Sequence, residues 1–241
     1  MVFLHGPSGL VWDPFLIRLA ERNRVFAPEH PGTSPGHEDA IKALDELWDL
    51  VLHYYDLFDE LGLKAPHVVG YSFGAMVAAE LAATSPDRVG SLVLISPIGL
   101  WHADEPVAHY QMMSREELSA AIAGASGTSP VATTPAVTSE SDEAAQDELI
   151  RWTWSMGCTS KFTWPIPERG LHKRLHRVSA PTLIVAGDHD RVVPATYMQQ
   201  FVKEISGAEQ ITLEGAGHAP HLDRPAEVLE VIERFHDNAE A

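Results

Sequence analysis

The pentapeptide Gly70-Tyr71-Ser72-Phe73-Gly74 constrains this chain more than any other stretch. Before it stands His67-Val68-Val69, a short run with two β-branched residues of the kind that fills a parallel-sheet strand. After it, residues 75–83 are Ala, Val, Leu, Met and Glu, mostly good helix formers, with no proline before Pro86. A strand that turns straight into a helix forces strained dihedrals and close backbone approach, which is why glycine stands at 70 and 74. Such a turn leaves the Ser72 hydroxyl at the head of a helix, where free N–H groups and the helix dipole favour developing negative charge. A bare Gly-x-Ser-x-Gly is common by chance. Between a strand and a helix it signals a nucleophilic serine.

The surrounding chain repeats the strand–helix rhythm. Residues 2–4 read as a buried strand ending in the breaker-rich loop His5-Gly6-Pro7-Ser8-Gly9. Residues 10–21 have helical spacing, 25–27 read as another short strand closed by Pro28, and 40–61 read as one long amphipathic helix. On that helix Ile41, Leu44, Leu47, Trp48, Val51, Tyr55, Phe58 and Leu61 are expected to form the apolar side. Strands follow at 91–96, 182–186 and 210–213, with helices from near Pro194 and over 225–236. This alternation predicts an α/β fold, a mostly parallel, doubly wound sheet covered by helices. The rhythm breaks over 97–180, where four of the six tryptophans and half of the methionines gather and no strong strand occurs. Two short helices, near 115–123 and 142–152, are expected to flank a flexible Gly/Ala/Ser/Thr/Pro stretch at 124–141. The organisation expected is therefore a core of 1–96 and 181–241 with a helical cap inserted at 97–180.

Composition narrows the function. At 241 residues, 45% hydrophobic and 21% charged, the chain has enough apolar surface for one sizeable core. A net charge of −17 repels phosphate backbones and argues against nucleic-acid binding. The single cysteine, Cys158, permits no internal disulfide and suits a reducing compartment. No apolar run has membrane-spanning length and the first residues lack a signal-peptide pattern, so a cytoplasmic protein that does not engage membranes is expected. A monomer or homodimer acting on a small molecule is the corresponding expectation for partners.

A serine hydroxyl is a weak nucleophile at neutral pH and needs an imidazole beside it. That imidazole in turn needs a carboxylate to hold its tautomer. Three predicted strand ends supply these groups in the order Ser72, Asp190, His218, each on a glycine-containing loop. Asp188 is a second candidate acid, which the Gly-x-x-Asp spacing from Gly187 ranks behind Asp190 as a turn residue. His218, His221, Asp188 and His189 lack helix-borne ligand spacing, so no metal is expected, and nothing calls for a cofactor. Trp152, Trp154 and Trp164 are first a small hydrophobic core, and secondarily candidates to line an apolar substrate pocket.

With these motifs the chain resembles the serine hydrolases of the α/β-hydrolase fold. The resemblance rests on His5-Gly6 after the first strand, the pentapeptide at 70–74, Gly187-Asp188-His189-Asp190 with Val193-Pro194, and Gly217-His218 followed by Arg224-Pro225. It implies Ser72 as nucleophile, Asp190 as acid and His218 as base. It also implies an oxyanion hole built from the Phe73 backbone N–H and a second N–H in the loop after His5-Gly6.

Two departures follow from the comparison. The residue after His5-Gly6 is Pro7, which has no N–H to donate, so Ser8 is expected to take the role. Loss of one such donor costs roughly 100- to 1000-fold in rate elsewhere. The chain also opens on the strand before the oxyanion loop, without the two strands that usually precede it. That makes the strand near Val25 a sheet edge, and a missing upstream segment would explain it equally well. The expected activity is hydrolysis of a small, largely apolar ester or related acyl compound. The runner-up is hydrolysis of a carbon–carbon bond in a vinylogous diketone, for which Arg151, Lys161 or Arg169 would bind the substrate carboxylate. Acyl transfer, including perhydrolysis, and a non-catalytic ligand-binding role are the remaining alternatives.

Overall fold

Strands Val2–Leu4 (β1), His67–Tyr71 (β2), Ser91–Ile95 (β3), Thr182–Gly187 (β4) and Glu209–Leu213 (β5) pair side by side in that order, every pair parallel. They form the centre of a computed structural model that describes residues 1–128 and 143–239. β2 to β4 are almost wholly buried, as near-continuous apolar strands in a two-sided sheet must be, while the edge strand β5 is mostly exposed. The strand expected at 25–27 shrinks to one bridge between Phe26 and Val2. Phe26 exchanges backbone bonds with Met1 and Phe3 at 2.9 and 2.8 Å, and the next alternate donor is lost at Pro28. The chain thus steps from β1 outward to Phe26 and then back across β1 to β2. Such a reversal opens a crevice beyond the carboxyl ends of the two strands on either side of it.

Helices flank the sheet. Pro14–Arg22 (α1) starts at Asp13, whose carboxylate accepts the Leu16 N–H at 2.9 Å, and buries Phe15, Leu16 and Leu19. The helix expected over 40–61 is two elements. A 3-10 turn covers Glu38–Ala43, Leu44 is extended, and an α-helix then runs over Leu47–Glu60 (α2). The break is made by Asp49, whose carboxylate accepts the N–H groups of Asp45 and Glu46 at 2.8 and 3.0 Å and so starts a new helix there. The restart changes the phase. Leu47, Leu50, Val51, Tyr54 and Phe58 face inward, while Trp48 and Leu61 are exposed.

α2 packs on Phe73–Thr84 (α3), which lies against β1, β2 and β3. Residues 73–83 of α3 are all buried, as befits a helix apolar on every side. Its one charged residue, Glu80, is held by a two-pronged Arg174 contact at 2.7–3.0 Å. Between β3 and β4 lie Arg115–Ile122 (α4) and Glu143–Thr163 (α5). α5 is 21 residues long, well beyond the helix expected at 142–152. Most of the stretch expected to be flexible, 129–141, lies outside the described residues. Ala195–Glu204 (α6) packs on β4 and β5, and Pro220–Asp223 (α7) leads into Pro225–Ala239 (α8), which lies on β3 and β4 and against α1. Among the described residues no helix is long and apolar enough to cross a membrane.

Candidate active site

Ser72 sits between β2 and α3 with φ 53° and ψ −109°, a strained conformation for a residue with a side chain. The turn is held by backbone bonds from Ser72 N–H to Ile95 O at 2.9 Å and from Met76 N–H to Ser72 O at 3.1 Å. The flanking glycines are sterically required. A Cβ on Gly70 would lie 2.5 Å from Gly74 O, and one on Gly74 would collide with the backbone of Leu4 and His5. The elbow is therefore wedged against the end of β1.

The turns after three strands meet there. His218 Nε2 lies 2.9 Å from Ser72 Oγ, and His218 Nδ1 lies 2.8 Å from Asp190 Oδ2. A carboxylate only accepts, so Nδ1 carries the proton and the Nε2 lone pair faces the hydroxyl. The other Asp190 oxygen accepts the N–H groups of Val192 and Val193 at 2.8 and 2.9 Å, which fixes the carboxylate plane. Ser72 and His218 are only 1% and 3% exposed. Asp188 is instead exposed and braces two turns, accepting the Gly215 N–H at 2.7 Å and facing the His189 ring at 2.7 Å. The His189 contact holds the Asp188 carboxyl below the ordinary carboxylate range.

The loop after β1 lies over this constellation. His5 Nδ1 meets Gly6 O at 2.7 Å, and its Nε2 accepts the His30 N–H at 3.0 Å. His30 in turn reaches His5 O at 2.9 Å and the Tyr54 hydroxyl at 2.5 Å. Burial drives both histidines below their ordinary pKa, His5 to about 4, so the pair is a neutral brace. Pro7 O accepts the Ser155 hydroxyl from α5 at 3.0 Å, and the Thr159 hydroxyl stands 3.4 Å from the same oxygen. In a trans peptide the N–H points opposite to the C=O. Anchoring Pro7 O on α5 therefore turns the Ser8 N–H the other way, and among the described residues that N–H has no hydrogen-bond partner.

A cavity of about 30 Å³ opens on Ser72 and His218, room for a water or two. Its apolar walls are Leu118, Ile122, Trp152, Met156 and Val192, joined by Tyr71, Tyr110, Pro7 and Ser8. Of the three candidate tryptophans only Trp152 takes part. Trp154, two residues on and so about 200° around α5, faces outward and donates its indole N–H to Gly32 O at 2.8 Å. Trp164 is exposed beyond the end of α5, edge-on to His109. Sequence reasoning missed Met156, which shares the Trp152 face one turn along α5, and Ile122 at the end of α4. Tyr110 carries no sequence signal. Of the candidate cations, Arg151 lines a groove of about 230 Å³ that shares Ser8 and Trp152 with the cavity. Arg169 is used on the carbonyls of Phe162 and Trp164, and Lys161 lies on the far side of α5. Among the described residues no cluster of three or more His, Cys, Asp and Glu is placed to hold a metal ion.

A parallel sheet with a strained serine at the strand–helix turn, facing an imidazole and a carboxylate, defines the α/β-hydrolase class. The chain belongs to the alpha/beta hydrolase family, whose model matches residues 1–231. It is similar to a pimeloyl-[acyl-carrier protein] methyl ester esterase from Aeromonas hydrophila subsp. hydrophila, with 26% identity over 98% of this chain and 94% of the relative. Among solved structures it is similar to the meta-cleavage product hydrolase of Pseudomonas fluorescens IP01, with TM-score 0.74, 18% identity, and coverage of 99% of this chain and 90% of that one. A bacterial membrane phospholipase A gives TM-score 0.74 and 21% identity over 99% of this chain and 78% of its own. At these identities the structural likenesses speak for the fold alone.

Proposed function

We propose that this chain is a serine hydrolase that cleaves a small, largely apolar carboxylic ester, or a related acyl compound, through an acyl-enzyme on Ser72. The observation that carries the reading is the unbroken line of hydrogen bonds from Asp190 through His218 to Ser72, at 2.8 and 2.9 Å. Ser72 Oγ attacks the carbonyl while His218 Nε2 takes its proton, and Asp190 stabilises the imidazolium so formed. The backbone N–H groups of Phe73 and Ser8 receive the oxyanion. The imidazolium then protonates the leaving alcohol. Water, deprotonated by His218, releases the acid.

The apolar cavity walls favour an acyl group without charge, and the small volume favours a short one or a closed state that opens for a longer one. The methyl ester substrate named for the Aeromonas hydrophila relative supports ester cleavage as the reaction type. We assign residues 97–180 the role of a helical cap, since Leu118, Ile122, Trp152 and Met156 supply most of the cavity roof. A second reading, carbon–carbon hydrolysis of a vinylogous diketone, is favoured by one observation. Arg151 has no ion pair among the described residues and lines the groove next to the cavity.

A fluorophosphonate probe with short p-nitrophenyl esters tests the proposal. The wild type is expected to be labelled and to turn over the esters, and Ser72→Ala to do neither. An unlabelled wild type refutes the hydrolase and leaves a ligand-binding role. Turnover of a dienoate diketone without ester turnover establishes the second reading.

A further inference from the structure

The end of α4 is bonded to both loops that carry the base and the acid. His218 N–H donates to Ile122 O at 3.0 Å, and Ala125 N–H donates to Gly215 O at 2.9 Å, on either side of the loop that presents the imidazole. On the acid side, Arg191 N–H reaches Ala121 O at 3.3 Å and the Arg191 guanidinium reaches Ala120 O at 2.9 Å. The two loops are themselves joined by His189 N–H donating to Ala216 O at 2.9 Å. The packing leaves no slack. A Cβ on Gly124 would lie 2.9 Å from Gly217 N and closer still to Gly215 O, and one on Gly217 would strike Ile122 O. These neighbours are backbone atoms, which cannot swing aside as a side chain does.

We propose that residues 120–125 form a strut that positions His218 and Asp190, with Ile122, Gly124 and Arg191 as its positioning residues. The inference rests on the catalytic reading of Ser72, Asp190 and His218. It has a consequence for specificity. The Ile122 side chain lines the acyl cavity while its carbonyl holds the backbone of His218. An acyl group that presses on Ile122 therefore presses on the base. Poor fit is felt in kcat, where the alignment of base and hydroxyl matters, more than in KM. The strut also limits which part of 97–180 can move. The end of α4 stays with the core.

The test compares Gly124→Ala, Arg191→Ala and Gly157→Ala with the wild type on one p-nitrophenyl ester, per site titrated with fluorophosphonate. Gly157 is the control, because a Cβ there meets nothing within 4 Å. Gly124→Ala is expected to lower kcat by about 10- to 100-fold with KM within about twofold. Arg191→Ala, an exposed change that spares the packing, is expected to lower kcat by about three- to tenfold, and Gly157→Ala to leave both constants unchanged. A purely structural role would reduce the titrated sites and the melting temperature but not kcat per site. Wild-type kcat per site in Arg191→Ala, together with wild-type kcat in any folded Gly124→Ala, overturns the strut. An unlabelled wild type would instead refute the underlying catalytic reading, so the two failures are separate.

Discussion

The Ser155 hydroxyl on α5 donates to the Pro7 carbonyl at 3.0 Å and thereby sets the direction of the Pro7–Ser8 peptide. Ser155 is 2% exposed, so this bond is not competed away by water. On the proposed function, Pro7 removes a donor from the loop that would receive the oxyanion, and the same proline supplies the carbonyl that ties the loop to α5.

Ser155→Ala should therefore act on the transition state. We expect kcat on a short ester to fall about three- to tenfold with KM nearly constant, short of the roughly 100- to 1000-fold that follows complete loss of one oxyanion donor. Adding Thr159→Val should deepen the loss, since the Thr159 hydroxyl lies 3.4 Å from the same oxygen. Steady-state kinetics on the folded variants decide. An unaltered kcat in the double variant would mean that Ser8 is aligned without α5.

The two aspartates of the loop after β4 should separate by orders of magnitude. Asp190→Asn presents an amide to His218 Nδ1 and favours the wrong tautomer, so kcat is expected to drop about 10⁴-fold. Asp188→Asn keeps an oxygen for the Gly215 N–H and touches neither Ser72 nor His218. Its kcat should stay within about twofold of wild type, with a small drop in melting temperature. Equal losses in the two variants would move the acid's role away from Asp190.

Acid should destabilise the fold over a defined window. Burial lowers His5 to about 4 and His221 to about 3, and His30 falls well below 6.5. These groups stay neutral in the folded chain but take up protons near pH 6.5 once unfolded. The unfolded state then binds more protons, and stability falls as pH drops from about 6.5 toward 4. Each group adds at most about 1.4 kcal/mol per pH unit within that window, the full slope only where the unfolded imidazole is protonated and the folded one is not. Glu80 works the other way, because burial raises its carboxyl and makes its protonation favour the folded state. Thermal melts from pH 7 to 4 should show a steady fall, smaller in His221→Phe, which removes one of the depressed groups. A flat profile to pH 4 would contradict the burial of the three imidazoles.

The fold is legible in this sequence where backbone chemistry is local. Val68-Val69 before Gly70 and the apolar run of α3 after Gly74 mark the elbow, because no other residue fits at 70 or 74. Asp190 and His218 stand on turns after β4 and β5, each announced by a run with β-branched residues and then a glycine-bearing turn. The illegible parts depend on contacts between distant segments. The break before α2 follows from a carboxylate, Asp49, turning back on the preceding N–H groups in a pattern that also reads as a continuous helix. The second half of α5 is rich in Ser, Thr and Gly, and it holds because Ser155 and Cys158 find carbonyls of Pro7 and Gly32. Without the full length of α5 its inward face cannot be phased, and Trp154 is indistinguishable from Trp152.

That phasing makes the cavity beside Ser72, the proposed acyl site, open to redesign. Met156 and Trp152 are four residues apart on α5 and close the roof over Ser72, while the remaining apolar walls come from α4 and Val192. Met156→Ala should deepen the cavity without touching the triad or the Pro7 anchor. A methylene that fits an apolar pocket is worth about 10- to 200-fold in kcat/KM. The ratio of hexanoyl to acetyl p-nitrophenyl ester turnover is therefore expected to rise at least tenfold, mostly through the longer substrate. Trp154→Ala, on the outer face of the same helix, should leave that ratio unchanged. If both substitutions shift chain-length preference alike, the acyl group lies somewhere other than between α4 and α5.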